Sequence, residues 1–140
     1  MHNITVALDA MGGDFGPSVT VPAAVQALSL FPELKVVLVG DEPSINTQLN
    51  QLGYQRSTRL EVMHSDRVIS NSEKPSFALR NSHDTSMRIA IDLVESENAD
   101  ACVSSGNTGA LMALSRFRLK LLPGIDRPCL LYTSPSPRDS

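Results

Sequence analysis

Asp100-Ala101-Cys102-Val103-Ser104-Ser105-Gly106-Asn107-Thr108-Gly109-Ala110-Leu111-Met112-Ala113-Leu114 changes character twice. It opens as a short buried strand, passes through a small polar turn, and resumes as a helix that starts at Asn107 or Thr108. Asn and Thr both suit an N-cap, because their side-chain oxygens accept from the N–H groups that a first helical turn leaves unpaired. Gly106 and Gly109 carry no Cβ, so backbone or ligand can approach closely. A strand-to-helix turn of this composition aims several N–H donors and a helix dipole at one point. Two readings are open from this stretch alone: a well-capped βα turn, or a cradle for phosphate or another anion at the end of a parallel sheet.

A second small-residue turn lies near the amino terminus. Ile4-Thr5-Val6-Ala7-Leu8 reads as a strand, and Asp9-Ala10-Met11-Gly12-Gly13-Asp14-Phe15-Gly16-Pro17 follows at once. Glycine at that density permits positive φ and close approach, which ordinary turns seldom need. Val21, Ala24, Val25 and Leu28 then share one helical face, with Pro17 or Pro22 in the first turn and Pro32 as the stop.

Strand and helix go on alternating. Val36-Val37-Leu38-Val39 is continuously apolar, as expected of a strand covered on both faces, and Gly40-Asp41 closes it. A helix from Pro43 carries Ile45, Leu49 and Leu52 and stops at Gly53. Leu60-Glu61-Val62-Met63 alternates, so a third strand is half exposed or near an edge. Residues 64–82 are irregular, long for a βα connection, with a short helical piece around 76–81; long loops in compact domains are often functional or mobile. Asp84 or a neighbour caps the next helix, where Met87, Ala90, Ile91 and Val94 mark the apolar face. The last helix runs to about Leu121, before Pro123-Gly124. This pattern predicts an α/β domain with a mainly parallel sheet and right-handed crossovers. Ligands of such sheets sit beyond the carboxyl ends of the strands, where both glycine-rich turns belong. The domain is assigned to 1–128. The segment 129–140, polar after Leu131 and holding two prolines, is set apart as a disordered tail, and its abrupt end suggests a truncated chain.

With 140 residues, 41% of them hydrophobic, the chain suits one soluble domain. A net charge of −3 gives no basic field for nucleic acid. No apolar run approaches the ~20 residues of a membrane helix, and the first residues lack a signal-peptide pattern. Cys102 and Cys129 are too few for a disulfide framework or zinc site, and Cys102 reads as a small core residue.

The chemistry narrows by exclusion. Glycines at 12, 13 and 16 make neither G-x-G-x-x-G nor a Walker A loop, which weakens nicotinamide and nucleotide-triphosphate readings. Asp9 and Asp14 flank the first turn as metal ligand, base or turn residue, the last being the ordinary role of Asp beside Gly. Ser104 and Ser105 lack a nucleophile elbow. His2, His64 and His83 are dispersed, and Lys74, Arg80 and Arg88 are by default solvated, though each is a candidate for a phosphate or acidic partner. No strong nucleophile is present; a reaction in which the bound anion attacks needs none.

Leu8-Asp9-Ala10-Met11-Gly12-Gly13-Asp14, Val39-Gly40-Asp41, Glu73-Lys74-Pro75-Ser76, Ser86-Met87-Arg88 and the run from Val103 to Met112, in that order, resemble the bacterial phosphate acyltransferases of phospholipid synthesis, the PlsX family. The resemblance spans 4–128, and the tail from Tyr132 does not match. It implies a Rossmann-like three-layer α/β/α fold of the isocitrate dehydrogenase kind. The implied activity is acyl transfer from acyl carrier protein to inorganic phosphate, with no cofactor and no metal. Family members are implied to be cytoplasmic homodimers in peripheral contact with the membrane. Joined to the turn reading, this places Ser105, Gly106, Asn107, Thr108 and Gly109 at the phosphate. Asn107 or Thr108 is then the oxyanion donor, and Asp9, Gly12, Gly13 and Asp14 form the opposite wall. Family chains are much longer, so a piece of this length is expected to be inactive alone. The competing readings are a phosphotransacetylase-like enzyme using acyl coenzyme A and a non-catalytic fragment that binds phosphate or carrier protein.

Overall fold

The structure, a computed structural model, describes residues 3–119. Strand β1 (Ile4–Asp9) leads into helix α1 (Pro17–Leu30), β2 (Leu34–Gly40), α2 (Glu42–Gln51) and β3 (Leu60–His64). Helices α3 (Pro75–Arg80) and α4 (Ser86–Glu95) come next, then β4 (Ala101–Val103) and α5 (Thr108–Arg118). The sheet runs β3-β2-β1-β4, with every pairing parallel.

Alternation along β2 explains the layers. Val36 and Leu38 face a core with Val21, Ala24 and Leu28 of α1 and Ile45 and Leu49 of α2. Val37 and Val39 face the other way, onto Ala7, Ala90 and Ala99, where α4 packs. Burying both faces of one strand is what makes its sequence continuously apolar. The chain moves outward from β1 to β3 with α1 and α2 on one face, then returns past β1 to β4 with α4 on the other. Opposite travel with helices on opposite faces is the result of a single crossover hand. A third cluster joins α3, α4 and α5 through Ile69, Ala78, Met87, Ile91, Ala110 and Leu114. A fully buried Ile or Leu in such a cluster contributes about 1.5–3 kcal/mol.

The helix ends resolve the openings left by sequence. Pro17 is in the first turn of α1 and Pro22 lies inside it; the N-cap is Gly16, at φ 56°. Thr85, rather than Asp84, caps α4 by accepting from the Arg88 amide, while Asp84 takes a left-handed φ of 63°. Asn107 caps α5. That helix stops at Arg118 with Leu119 extended, short of the expected Leu121, which lies outside the described residues. The expected buried strand is corrected as well. Ala101 and Val103 of β4 are exposed and Cys102 half-buried, because β4 pairs only with β1 among the described residues. The 129–140 segment also lies outside them. No helix among the described residues is long and apolar enough to cross a membrane.

Candidate anion-binding site

Strand order reverses between β1 and β4, and their carboxyl ends deliver the two glycine-rich turns to one place. A Cβ built on Gly12 would lie 2.7 Å from the Gly106 nitrogen and 3.2 Å from that of Ser105. One built on Gly13, at φ 84°, would lie 2.9 Å from Ser105 Oγ. The turns therefore share a rim and touch through their backbones, a contact only glycine allows.

Buried Asp9 joins them. Its Oδ1 accepts from the Met11 amide at 3.1 Å, and its Oδ2 accepts from Ser104 Oγ at 2.7 Å. Ser104 Oγ in turn accepts from the Gly106 amide at 3.1 Å. A continuous hydrogen-bonded chain thus runs from Met11 through Asp9 and Ser104 to Gly106, across 95 positions of sequence at its central link. No cation pairs with Asp9 among the described residues; its two oxygens are met by these donors. Met11 then folds over the end of β2, its sulfur accepting from the Asp41 amide. Thr20 Oγ1 donates to the Ala10 carbonyl at 2.7 Å and pins the first turn to α1.

Outside these turns lies a cleft of about 190 Å³ lined by Met11, Gly12, Gly13, Val68, Ile69, Ser70, Asn71 and Gly106. Larger hollows exist elsewhere, such as one of about 350 Å³ between Asn3, Lys35 and Arg59, but that one lies at the amino-terminal rim, away from the strand ends. In the α5 turn, the amides of Ser105, Asn107, Thr108 and Gly109 meet no acceptor among the described residues. These are the unpaired donors that a helix start offers to an anion.

The expected site residues do not all reach the cleft. Gly12, Gly13 and Gly106 line the cleft; Ser105 and Thr108 are exposed beside it in the same turn; Asp14 is exposed on the first turn. Asp9 lies beneath, buried. Asn107 has its side chain engaged: Oδ1 accepts from the Ala110 amide, and Nδ2 donates to the carbonyls of Ser70 at 2.9 Å and Glu73 at 2.8 Å. Gly109 takes the Pro75 ring, since a Cβ there would lie 2.7 Å from Pro75 Cγ. Of the basic candidates, Arg88 is turned to Asp92 and Ser82, and neither Lys74 nor Arg80 lines the cleft.

Sequence reasoning passed over Ser104 as a linker and Ser70 and Glu73 as partners of Asn107. Ser104 carried one signal, a small hydroxyl placed directly after a strand; the other two carried none. It also passed over a His–Asp pair. His64 Nε2 lies 2.7 Å from Asp66 Oδ1, while Nδ1 accepts from the Glu42 amide at the start of α2. Both ring nitrogens are engaged away from the cleft, so this pair caps a helix.

Two features now define the class of protein. A parallel sheet wound both ways from a switch point, with helices on both faces, is a Rossmann-like α/β domain, and its two glycine-rich turns meet at the carboxyl edge. The chain belongs to the family described as fatty acid synthesis protein, whose model matches residues 4–140 and so takes in the stretch set apart at 129–140. It is 74% identical over 136 residues to the phosphate acyltransferase of Vibrio cholerae serotype O1, covering 97% of this chain and 40% of that one. The phosphate acyltransferases of Vibrio atlanticus and Vibrio parahaemolyticus are 72% and 71% identical over the same shares. The chain thus spans about two fifths of the length of these relatives.

Proposed function

We propose that this chain supplies the phosphate-binding part of an enzyme that transfers a fatty acyl group from acyl carrier protein to inorganic phosphate. The observation that carries the reading is the backbone contact of Gly12 with Gly106, which brings the two glycine-rich turns, one of them with unpaired helix-start amides, together at one small cleft. Phosphate held there is itself the nucleophile. Its oxygen attacks the thioester carbonyl, the C–O bond forms, the C–S bond breaks, and the carrier-protein thiolate leaves and takes up a proton. The product is an acyl phosphate. Orientation and preorganised donors to the tetrahedral oxyanion supply the acceleration.

In this proposal Ser105, Gly106, Thr108 and Gly109 meet the phosphate, and Gly12, Gly13 and Asp14 form the facing wall. Thr108, with its exposed hydroxyl, is the side-chain donor to the oxyanion. Asn107 remains close to the reacting atoms but has both amide hydrogens on carbonyls. Asp9 holds the two turns together from beneath. The whole protein is further proposed to be a cytoplasmic homodimer that meets the membrane peripherally, which sedimentation velocity and vesicle co-sedimentation test.

The deciding assay uses the full-length protein, acyl carrier protein thioester and graded phosphate. Thiol release and hydroxylamine-trapped acyl product should rise together with phosphate. Thiol release indifferent to phosphate removes the reading. Faster turnover with acyl coenzyme A than with the carrier-protein thioester moves it to the phosphotransacetylase-like alternative, and binding of phosphate without turnover leaves a non-catalytic protein.

A further inference from the structure

The segment 70–74 reaches the outer side of the cleft through Ser70 and Asn71, and the side chain of Asn107 is bonded to it. Ser70 and Asn71 line the cleft opposite Gly12 and Gly106. The segment is a tight turn in its own right. The Glu73 amide donates to the Ser70 carbonyl at 3.1 Å, the Ser72 amide donates to Ser70 Oγ at 3.1 Å, and the Ser70 amide donates to Glu73 Oε1. Apart from these internal bonds and the Ala78 amide on the Lys74 carbonyl that opens α3, its hydrogen bonds among the described residues come from Asn107 Nδ2, which reaches the Ser70 and Glu73 carbonyls across 37 and 34 positions. Directly after it, the Pro75 ring rests on the bare Cα of Gly109. Both anchor points belong to the start of α5, directly after Gly106, which lines the cleft.

We propose that Asn107 is a positioning residue: its amide group straps residues 70–74 across the cleft, with Pro75 on Gly109 as the second fastening. The strap sets the outer wall against which phosphate is held, so it governs phosphate affinity more than the rate of the chemical step. The geometry separates the two duties of Asn107. Oδ1 caps α5 and Nδ2 holds the strap. Serine caps helices about as well as asparagine but has no amide hydrogens to reach the carbonyls. Asn107→Ser therefore releases the strap and keeps the helix. Gly109→Ala loosens the same strap from the other fastening, because its Cβ would overlap the Pro75 ring. The kinetic part rests on the phosphate acyltransferase reading; the structural part does not.

The test measures hydrogen exchange and steady-state kinetics on the full-length protein, wild type and both variants. Releasing two hydrogen bonds is expected to speed amide exchange in residues 70–74 at least about tenfold in Asn107→Ser, with the α5 amides unchanged. KM for phosphate is expected to rise about tenfold in Asn107→Ser, with kcat changed less than threefold, and Gly109→Ala is read by exchange at 70–74 alone. Unchanged exchange at 70–74 in Asn107→Ser overturns the strap. Faster exchange with an unchanged KM for phosphate overturns its role in closing the cleft. A kcat loss of about a hundredfold without faster exchange overturns it in favour of Asn107 as a direct oxyanion donor. If wild-type turnover is indifferent to phosphate, the functional reading fails, and the exchange result still judges the strap.

Discussion

Gly12 lies so close to Gly106 that a single methyl group on the first would sit 2.7 Å from the backbone nitrogen of the second. Neither side of this contact can yield by rotating a side chain. Gly12→Ala is expected to cost about 1–3 kcal/mol, the usual range for overpacking. Gly53 is the comparison. It has open space around it but a left-handed φ of 69°, so Gly53→Ala is expected to cost about 1 kcal/mol through strain alone. Urea denaturation of both variants checks the pair. Equal losses would mean that the turns do not press on each other. Phosphate-dependent turnover of the full-length protein should fall only in the Gly12 variant.

Ser104 is the relay between the turns. Ser104→Ala leaves Asp9 Oδ2 without its donor and the Gly106 amide without its acceptor. Stability should drop by about 1–3 kcal/mol, the cost of unpaired buried polar groups. A double-mutant cycle with Asp9→Asn is expected to show coupling of about 0.5–3 kcal/mol, because the two side chains share one hydrogen bond. Additive losses would show that the bond contributes nothing.

The start of α2 gives a pH-dependent prediction. The Ser44 hydroxyl, and then the Ser44 amide, donate to the Asp41 carboxylate and hold its pKa below the usual carboxylate value, with His64 adding a smaller pull. A carboxylate depressed in the folded state stabilises the fold above its unfolded pKa, and that contribution disappears as pH falls through the folded value. Wild type should therefore lose stability in acid more steeply than Asp41→Asn, since Asn caps without titrating. Thermal melts from pH 7 to pH 3 check this; parallel curves would contradict it.

Cys102 behaves in the opposite sense. Burial, and then the nearby Asp9 charge, raise its thiol pKa. The folded protein should react slowly with iodoacetamide at Cys102, followed by mass spectrometry of that peptide. A raised thiol pKa leaves stability intact below the unfolded value of about 8.5 and lowers it as pH rises past that value, because the unfolded chain ionises first. Cys102→Ala should remove this alkaline loss. Alkylation as fast as that of an unfolded control would refute the assignment.

Much of the fold could be read from the sequence because periodicity reports burial directly. Val21, Ala24 and Leu28 are buried on α1 as their spacing required, and the unbroken apolar run in β2 is covered on both faces. The glycines of the first turn read as a close approach, and Gly12 makes one. Exposure of β4 was not legible, since it depends on which strands lie alongside, and an apolar triplet carries no such information. The engagement of Asn107 with Ser70 and Glu73 was hidden for a related reason. Capping is a local property visible in a few residues, whereas the partners of Nδ2 lie more than thirty positions away and are reached through their carbonyls, which every residue type possesses. The Asp9–Ser104 bond joins side chains 95 positions apart, so the small hydroxyl after β4 hinted at a role without naming its partner.

That bond also fixes an order of assembly during synthesis. Strands β1, β2 and β3 are all complete by His64, but Asp9 acquires its partner only when Ser104 has been made and β4 has docked beside β1. Contacts of such long sequence separation form late, after the loop-closure entropy has been met. Nascent chains that end before Ser104 can hold a paired sheet yet lack the Gly106 side of the cleft, and ribosome-stalled chains of graded length would show Asp9 becoming protected from solvent only once β4 has emerged.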